Sequence, residues 1–171
     1  GLASWNLAMG SQELYDWLDA EPQRFHPGDL DYIHSVERIG RLSNVISING
    51  GVQLDLMGQE NAESAGTRQL SGVGGQMDFL EGAFRSKGGK GFICINSSRV
   101  TKDGERKSNI VAAIPSGSTV SAPRTMIDYV ATEYGVVRLA GKSMRERAEA
   151  MASIAHPDFR EELMKYAREH F

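Results

Sequence analysis

The stretch SGVGGQMDFLEGAF, residues 71–84, decides how the chain is read. Three glycines, Gly72, Gly74 and Gly75, fall within four positions and lead straight into a segment with Met77, Leu80 and Phe84 at helical spacing. That spacing predicts a helix over 76–85, entered from a loop without side chains. The first backbone N–H groups of a helix have no intrahelical acceptor. A glycine loop lets a ligand approach them closely, which suits an anion or a developing oxyanion. The competing reading is a tight strand-to-helix turn that needs positive φ. Local chemistry leaves both readings open.

Working outward, the segment before the loop changes period to two. Ile46, Ile48, Val52, Leu54 and Leu56 alternate with Ser47, Gln53 and Asp55, which predicts a strand with one buried face. Gly50 and Gly51 interrupt it, as a bulge or where a ligand lies against the backbone. Beyond the loop, Gly88 and Gly89 end the helical unit, and GFICIN (91–96) reads as a buried strand. RVTKDGERKSNIVAAI reads as a hairpin turning at Asp103-Gly104, with further strands at STVSAP (118–123) and DYVAT (128–132). At the start, residues 2–9 read as a strand, and Ser11 caps a helix over 12–20 with Leu14, Trp17 and Leu18 on one face. Pro22 and Pro27 break the chain after that helix, and 29–42 is mixed, a short helix with loops. Two helices close the chain, one opened by the capping box Ser143–Glu146 and one by Pro157. Strands mixed with helices over one domain's length predict an α/β fold.

Composition narrows the function. With 171 residues, 40% hydrophobic and 24% charged, the chain can bury one ordinary core. A net charge of −3 argues against a general nucleic-acid surface. No apolar run approaches a membrane span and no signal peptide is visible, so a cytoplasmic setting is expected. Cys94, the one cysteine, sits in FICI and is expected to be a buried, reduced thiol. The histidines His26, His34, His156 and His170 lack metal-ligand spacing, so no metal site is expected, and His156 before Pro157 reads as a helix-opening residue. A dinucleotide fingerprint starting at Gly72 fails at Met77, and a P-loop ending in Gly141-Lys142-Ser143 fails at Val136. There is no G-x-S-x-G elbow. Arg85, Lys87 and Lys90 form the basic cluster next to the loop in sequence, with Arg68 and Arg99 not far away. They suit either a phosphorylated ligand or a solvated helix end.

SINGGVQLDLMGQENAESAGTRQLSGVGGQMDFLEGA, followed by SKGGKGFICI, IDYVATEYGVVRLAGKSMRERAEAM and IAHPDFREEL, resembles the acetyl-CoA hydrolase/transferase family. Within it, the chain is most similar to the 4-hydroxybutyrate and butyrate CoA-transferases. The resemblance implies an open mixed or parallel sheet flanked by helices, of the NagB/RpiA-like kind. It implies that residues 1–171 are the C-terminal CoA-transferase domain of a two-domain enzyme, a reading that the start at Gly1 without methionine also suggests. The implied reaction moves CoA between short-chain acids through a glutamyl-CoA thioester. The implied partners are acyl-CoA, a short-chain carboxylic acid, an N-terminal domain and further copies in a homo-oligomer. No cofactor is implied beyond coenzyme A as part of the substrate. By motif, Gly72, Gly74 and Gly75 match the family's oxyanion and CoA loop, Val52 and Ser71 border CoA, and Lys87 or Lys90 meets its charged groups. Glu60, Glu63, Glu81 and Glu133 are the candidates for the nucleophilic glutamate inside this chain, Glu133 in TEYG being the most suggestive by motif. The family's nucleophile, however, lies in a Gly-x-His-x-Glu segment upstream of the matched region, so no catalytic residue is assigned within this chain. One departure is Ser108-Asn109-Ile110-Val111-Ala112, where the family often has Ser-Arg-Ile-Val-Pro. The alternatives are an acyl-CoA hydrolase of the same fold and a non-catalytic CoA-binding or assembly domain.

Overall fold

The computed structural model describes residues 2–171. The chain begins with β1 (Ala3–Trp5), α1 (Gln12–Ala20) and β2 (Phe25–Pro27), the two strands pairing in parallel. The strand expected over 2–9 is therefore only three residues long. The Ser11 hydroxyl accepts from the Leu14 N–H and starts α1 where the sequence places it. Residues 29–42 form two short helices, α2 (Leu30–Ile33) and α3 (Val36–Arg41).

The period-two segment divides at its glycine pair. β3 (Ile46–Gly50) joins one sheet and β4 (Gln53–Asp55) another, so Gly50-Gly51 is a crossing between sheets and not a bulge within one strand. β4 pairs with β5 (Glu60–Asn61), and the hairpin of β6 (Ser64–Ala65) and β7 (Arg68–Gln69) leads to the glycine loop. α4 (Gln76–Arg85) follows, then β8 (Lys90–Cys94). β9 (Ser98–Val100) and β10 (Arg106–Ser108) form the expected hairpin, with Gly104 at φ +84° in its turn. β11 (Ile110–Val111) returns to pair in parallel with β4. STVSAP is not a strand: it makes one isolated bridge, Ala122 to Glu60. β12 (Tyr129–Thr132) and β13 (Gly135–Arg138) complete the strands, β13 being a strand the sequence reading missed. α5 (Met144–Ser153) opens with the Ser143–Glu146 capping box, and α6 (Pro157–His170) opens with Pro157 after His156, whose ring accepts from the Asp158 N–H.

The main sheet has the order β13–β12–β8–β3. β12, β8 and β3 run parallel and β13 antiparallel, giving a mixed sheet in an α/β fold. α4 lies on the face that carries Ser47, Gly91, Ile93 and Val130, with Leu80 seated over Gly91. The opposite face carries Ile46, Ile48, Phe92, Tyr129 and Val136, and Ile48 is 69% exposed. The single buried face expected on even-numbered residues is thus not found: in β4 Gln53 and Asp55 are buried along with Leu54, and in β3 the pattern is reversed, with Ser47 buried. Alternation says which side chains share a face; what packs on that face decides which one is covered. Cys94 lies on the open face and is half-buried, which differs from the buried position expected, and Phe84 points outward from α4. Leu54, Leu56, Ile110 and Leu139 join Met151 and Ala152 of α5 and Leu163 and Ala167 of α6 in one core. Among the described residues no helix is long and apolar enough to cross a membrane.

Candidate functional site

The glycine loop is anchored at its base by the hairpin before it. The N–H groups of Leu70 and Ser71 both donate to the Glu63 carbonyl, and Gln69 Nε2 donates to the Ser71 carbonyl at 2.6 Å. Gly74 then takes φ +59°, which only a residue without Cβ adopts readily. No side chain caps α4. Among the described residues the backbone amides of Gly72, Val73, Gly74 and Gly75 donate to no protein acceptor. The result is a row of free donors at the positive end of a helix.

Gly72, Val73 and Gly75 border a cavity of about 380 Å³. The loop supplies Ser71, Gly72 and Gly75, the end of β3 supplies Asn49 and Gly50, and His34 closes the third side. A Cβ at Gly50 or at Gly72 would meet nothing within 4 Å, so both backbones are open to a ligand. Gly51 differs. A Cβ there would lie 2.6 Å from Glu60 Oε1 and 2.9 Å from Ile95, so its space is filled by the protein itself. Gly75 differs too: a Cβ would come within 2.1 Å of the His34 ring. The glycine is thus required by His34, while its N–H stays free.

His34 is the site residue that sequence reasoning missed. It falls in the segment of mixed pattern, where no local periodicity marks it. Its ring packs edge-on to Phe79 with centroids 5.1 Å apart, its Nδ1 stands 3.4 Å from Asp78 Oδ2, and its Nε2 is 3.3 Å from the Asn6 side-chain amide. An amide donor at Nε2 leaves the proton on Nδ1, facing the Asp78 carboxylate. The ring therefore ties β1's flank, the cavity and the first turn of α4 together.

The other sequence candidates are distributed around this centre. Val52 is half-buried just past Gly51, and its N–H donates to the Asn61 carbonyl. Lys87 and Lys90 are exposed beyond the C-terminal end of α4. Ten helical residues, about 15 Å of axis, separate that end from the glycine loop. Glu133 accepts from both the N–H and the hydroxyl of Ser97, at 2.9 and 2.6 Å. Burial pushes its carboxyl up, but the Ser97 hydrogen bonds outweigh that and hold it below the usual glutamate range. Glu81 pairs with Arg85, and Glu63 accepts from Ser121 Oγ and Gln69 Nε2. Asn109, at the departure from the family pattern, accepts from Arg99, so that arginine is engaged within the fold. Among the described residues no cluster of three or more His, Cys, Asp or Glu could hold a metal ion.

The sequence model of the acetyl-CoA hydrolase/transferase C-terminal domain matches residues 10–167, a span that includes the whole cavity wall from His34 to Phe79. The chain belongs to this family. It is 42% identical over 164 residues to the butyryl-CoA:acetate CoA-transferase of Anaerostipes caccae, covering 96% of this chain and 36% of that protein. It is 45% identical over 163 residues to the 4-hydroxybutyrate coenzyme A transferase of Clostridium kluyveri, covering 95% and 37%. The crystal structure of RipA from Yersinia pestis superposes with a TM-score of 0.86 at 38% identity, covering 99% of this chain and 37% of that one. The family match takes in most of this chain, and the chain spans just over a third of the length of the relatives it matches. The fold class and the membership expected from the motifs agree with these likenesses.

Proposed function

We propose that this chain is the CoA-facing C-terminal half of an acyl-CoA:carboxylate CoA-transferase acting on short-chain acids of the 4-hydroxybutyrate, butyrate and acetate type. The observation that carries the reading is the row of free amides from Gly72 to Gly75, at an uncapped helix start beside an open cavity. The chemistry that needs such donors is acyl transfer. A glutamate carboxylate, supplied from upstream of the matched region, attacks the thioester carbonyl. A C–O bond forms, the carbonyl oxygen becomes an oxyanion, and the C–S bond then breaks to release CoA thiolate and leave an acyl–glutamyl anhydride. The thiolate attacks the glutamyl carbonyl and expels the first acid, giving glutamyl-CoA. The second acid reverses both steps. Each tetrahedral stage places an oxyanion, and one missing donor to it costs about 2.7–4 kcal/mol of barrier.

In this reading Gly72, Gly74 and Gly75 address the oxyanion, while Ser71, Gly50 and Val52 border the thioester arm. Lys87 lies toward the charged end of CoA, along α4. Glu133, engaged by Ser97, is a structural residue. The test uses the whole protein that carries this chain, incubated with butyryl-CoA or acetyl-CoA with and without a carboxylate acceptor. Acceptor-dependent formation of the new acyl-CoA, with a glutamyl-CoA adduct mapped outside residues 1–171, is the expected result. Release of free CoA at the same rate without acceptor would assign the protein to the hydrolases instead. Turnover by the 171-residue chain alone would overturn the placement of the nucleophile.

A further inference from the structure

Two carboxyls, Asp55 and Glu60, are completely buried beside the loop's supporting strands. Asp55 is satisfied, accepting from the N–H and Nε2 of Gln59 at 2.9 and 2.7 Å. Glu60 is not. Its Oε2 accepts from Gln76 Nε2, and its Oε1 is buried without any partner, directed at the missing side chain of Gly51 and the methyls of Ile93 and Ile95. Gln76 is itself buried and is the first residue of α4, joined directly to Gly75. With no side chain capping that helix, the Glu60–Gln76 bond holds its first turn from below, as His34 does from the cavity side.

We propose that Glu60 is a positioning residue of the glycine loop: through Gln76 it sets the first turn of α4 and hence the aim of the Gly72–Gly75 amides, and it does this as a neutral carboxylic acid. A charge at Oε1 would face apolar methyls with no donor to meet it, which is costly. Burial accordingly pushes the group up to about 8, against the smaller opposing effect of the Gln76 hydrogen bond. The other ionisable groups on the surrounding elements are engaged elsewhere. Asp55 holds Gln59, Glu63 holds Ser121 and Gln69, Asp78 faces His34, and Glu81 pairs with Arg85. Lys90 of β8 is exposed, and Cys94 of β8 is on the sheet's open face. None of them supplies a counter-charge to Oε1. Ionisation would tighten the Gln76 bond at Oε2 but leave a charge at Oε1 with no donor, drawing water in, shifting the first turn of α4 and placing a negative charge beneath donors meant for one.

The activity arm of the test rests on the proposed transferase reading; the spectroscopic arm does not. In this chain, backbone amide shifts of Gly72, Val73, Gly74, Gly75 and Gln76 are followed by NMR from about pH 6 to pH 10. A shared step with a midpoint near 8 is expected, absent in Glu60→Gln, which keeps the neutral shape without the proton. In the whole protein, kcat/KM for acyl-CoA is expected to fall about tenfold per pH unit above that midpoint. In Glu60→Gln the same limb should be level. Loop amides that do not titrate, or that titrate alike in Glu60→Gln, overturn the proposal. A step in the amides of the wild type, lost in Glu60→Gln, with no matching limb in the rate supports the positioning role and sinks the assignment of the loop to the thioester.

Discussion

Gly75→Ala separates two explanations of the same glycine, a ligand's approach and a histidine's packing. The backbone is no steric bar, because Gly75 has φ −86° and ψ 10°, in the bridge region that residues with a side chain also occupy, as in type I turns. The obstacle is the His34 ring, whose Cε1, Nδ1 and Nε2 would stand 2.1, 2.3 and 3.0 Å from the new Cβ. Ordinary carbon contacts need about 3.5–4.0 Å, so the ring or the loop must move by well over an ångström. The ring is held by Phe79, Asp78 and Asn6, and its side chain is only 15% exposed. Overpacking of this kind costs about 1–3 kcal/mol. The lost edge-on aromatic contact is worth about 0.5–1.5 kcal/mol of that. Replacing glycine by alanine at a helix cap adds a penalty of up to about 1 kcal/mol that does not depend on His34. The measurement is a double-mutant cycle by urea unfolding of this chain, with unchanged m values required. In wild type, Gly75→Ala should cost about 2–3 kcal/mol by these terms. In a His34→Ala background only the cap penalty should remain, giving a coupling of about 1–2 kcal/mol. Additive costs would refute the packing argument and return Gly75's missing side chain to the ligand.

Two further outcomes are expected. Glu60 should lower stability as pH rises: its native pKa near 8 exceeds its ordinary 4.5, so the unfolded chain releases a proton that the native state keeps. The stability is full below about pH 4.5 and is lost progressively up to about pH 8, amounting to about 3 kcal/mol at pH 7. Glu60→Gln should therefore unfold at higher urea than wild type at pH 7 and at nearly the same urea at pH 4; equal gains at both would contradict the linkage. Arg147 donates to the carbonyls of Met57, Leu139 and Arg124 at 2.7–2.9 Å from a buried position. Arg147→Met should cost about 3 kcal/mol or more by stranding them. Arg147→Lys should recover only part of it, since one ammonium cannot reach three carbonyls in a fixed fork. Calorimetric melting of both variants checks this, and a Met variant as stable as wild type would refute it.

What the sequence alone determined about this protein is local or serial. Ser11, the Ser143–Glu146 box and Pro157 marked helix starts because a cap is a contact within one turn. Asp103-Gly104 marked the hairpin because positive φ is a property of one residue. The long motifs identified the family because they recur in order along the chain. Tertiary structure decided the rest. Whether Ile46 and Ile48 or Ser47 turn inward depends on which face α4 covers, and alternation carries no information about that. Gly50-Gly51 read as a bulge or a ligand's approach within one strand because a crossing between two sheets is invisible until the partners of β3 and β4 are known. The same limit hid the supports of the site. Glu60 reads as one of four candidate glutamates, with nothing to mark it as a support, until the fold closes apolar groups and Gln76 around it. His34 reads as a lone histidine until Gly75 is brought against its ring. Both effects arise from contacts between segments distant in the chain, whose free energy exists only once the whole core has formed.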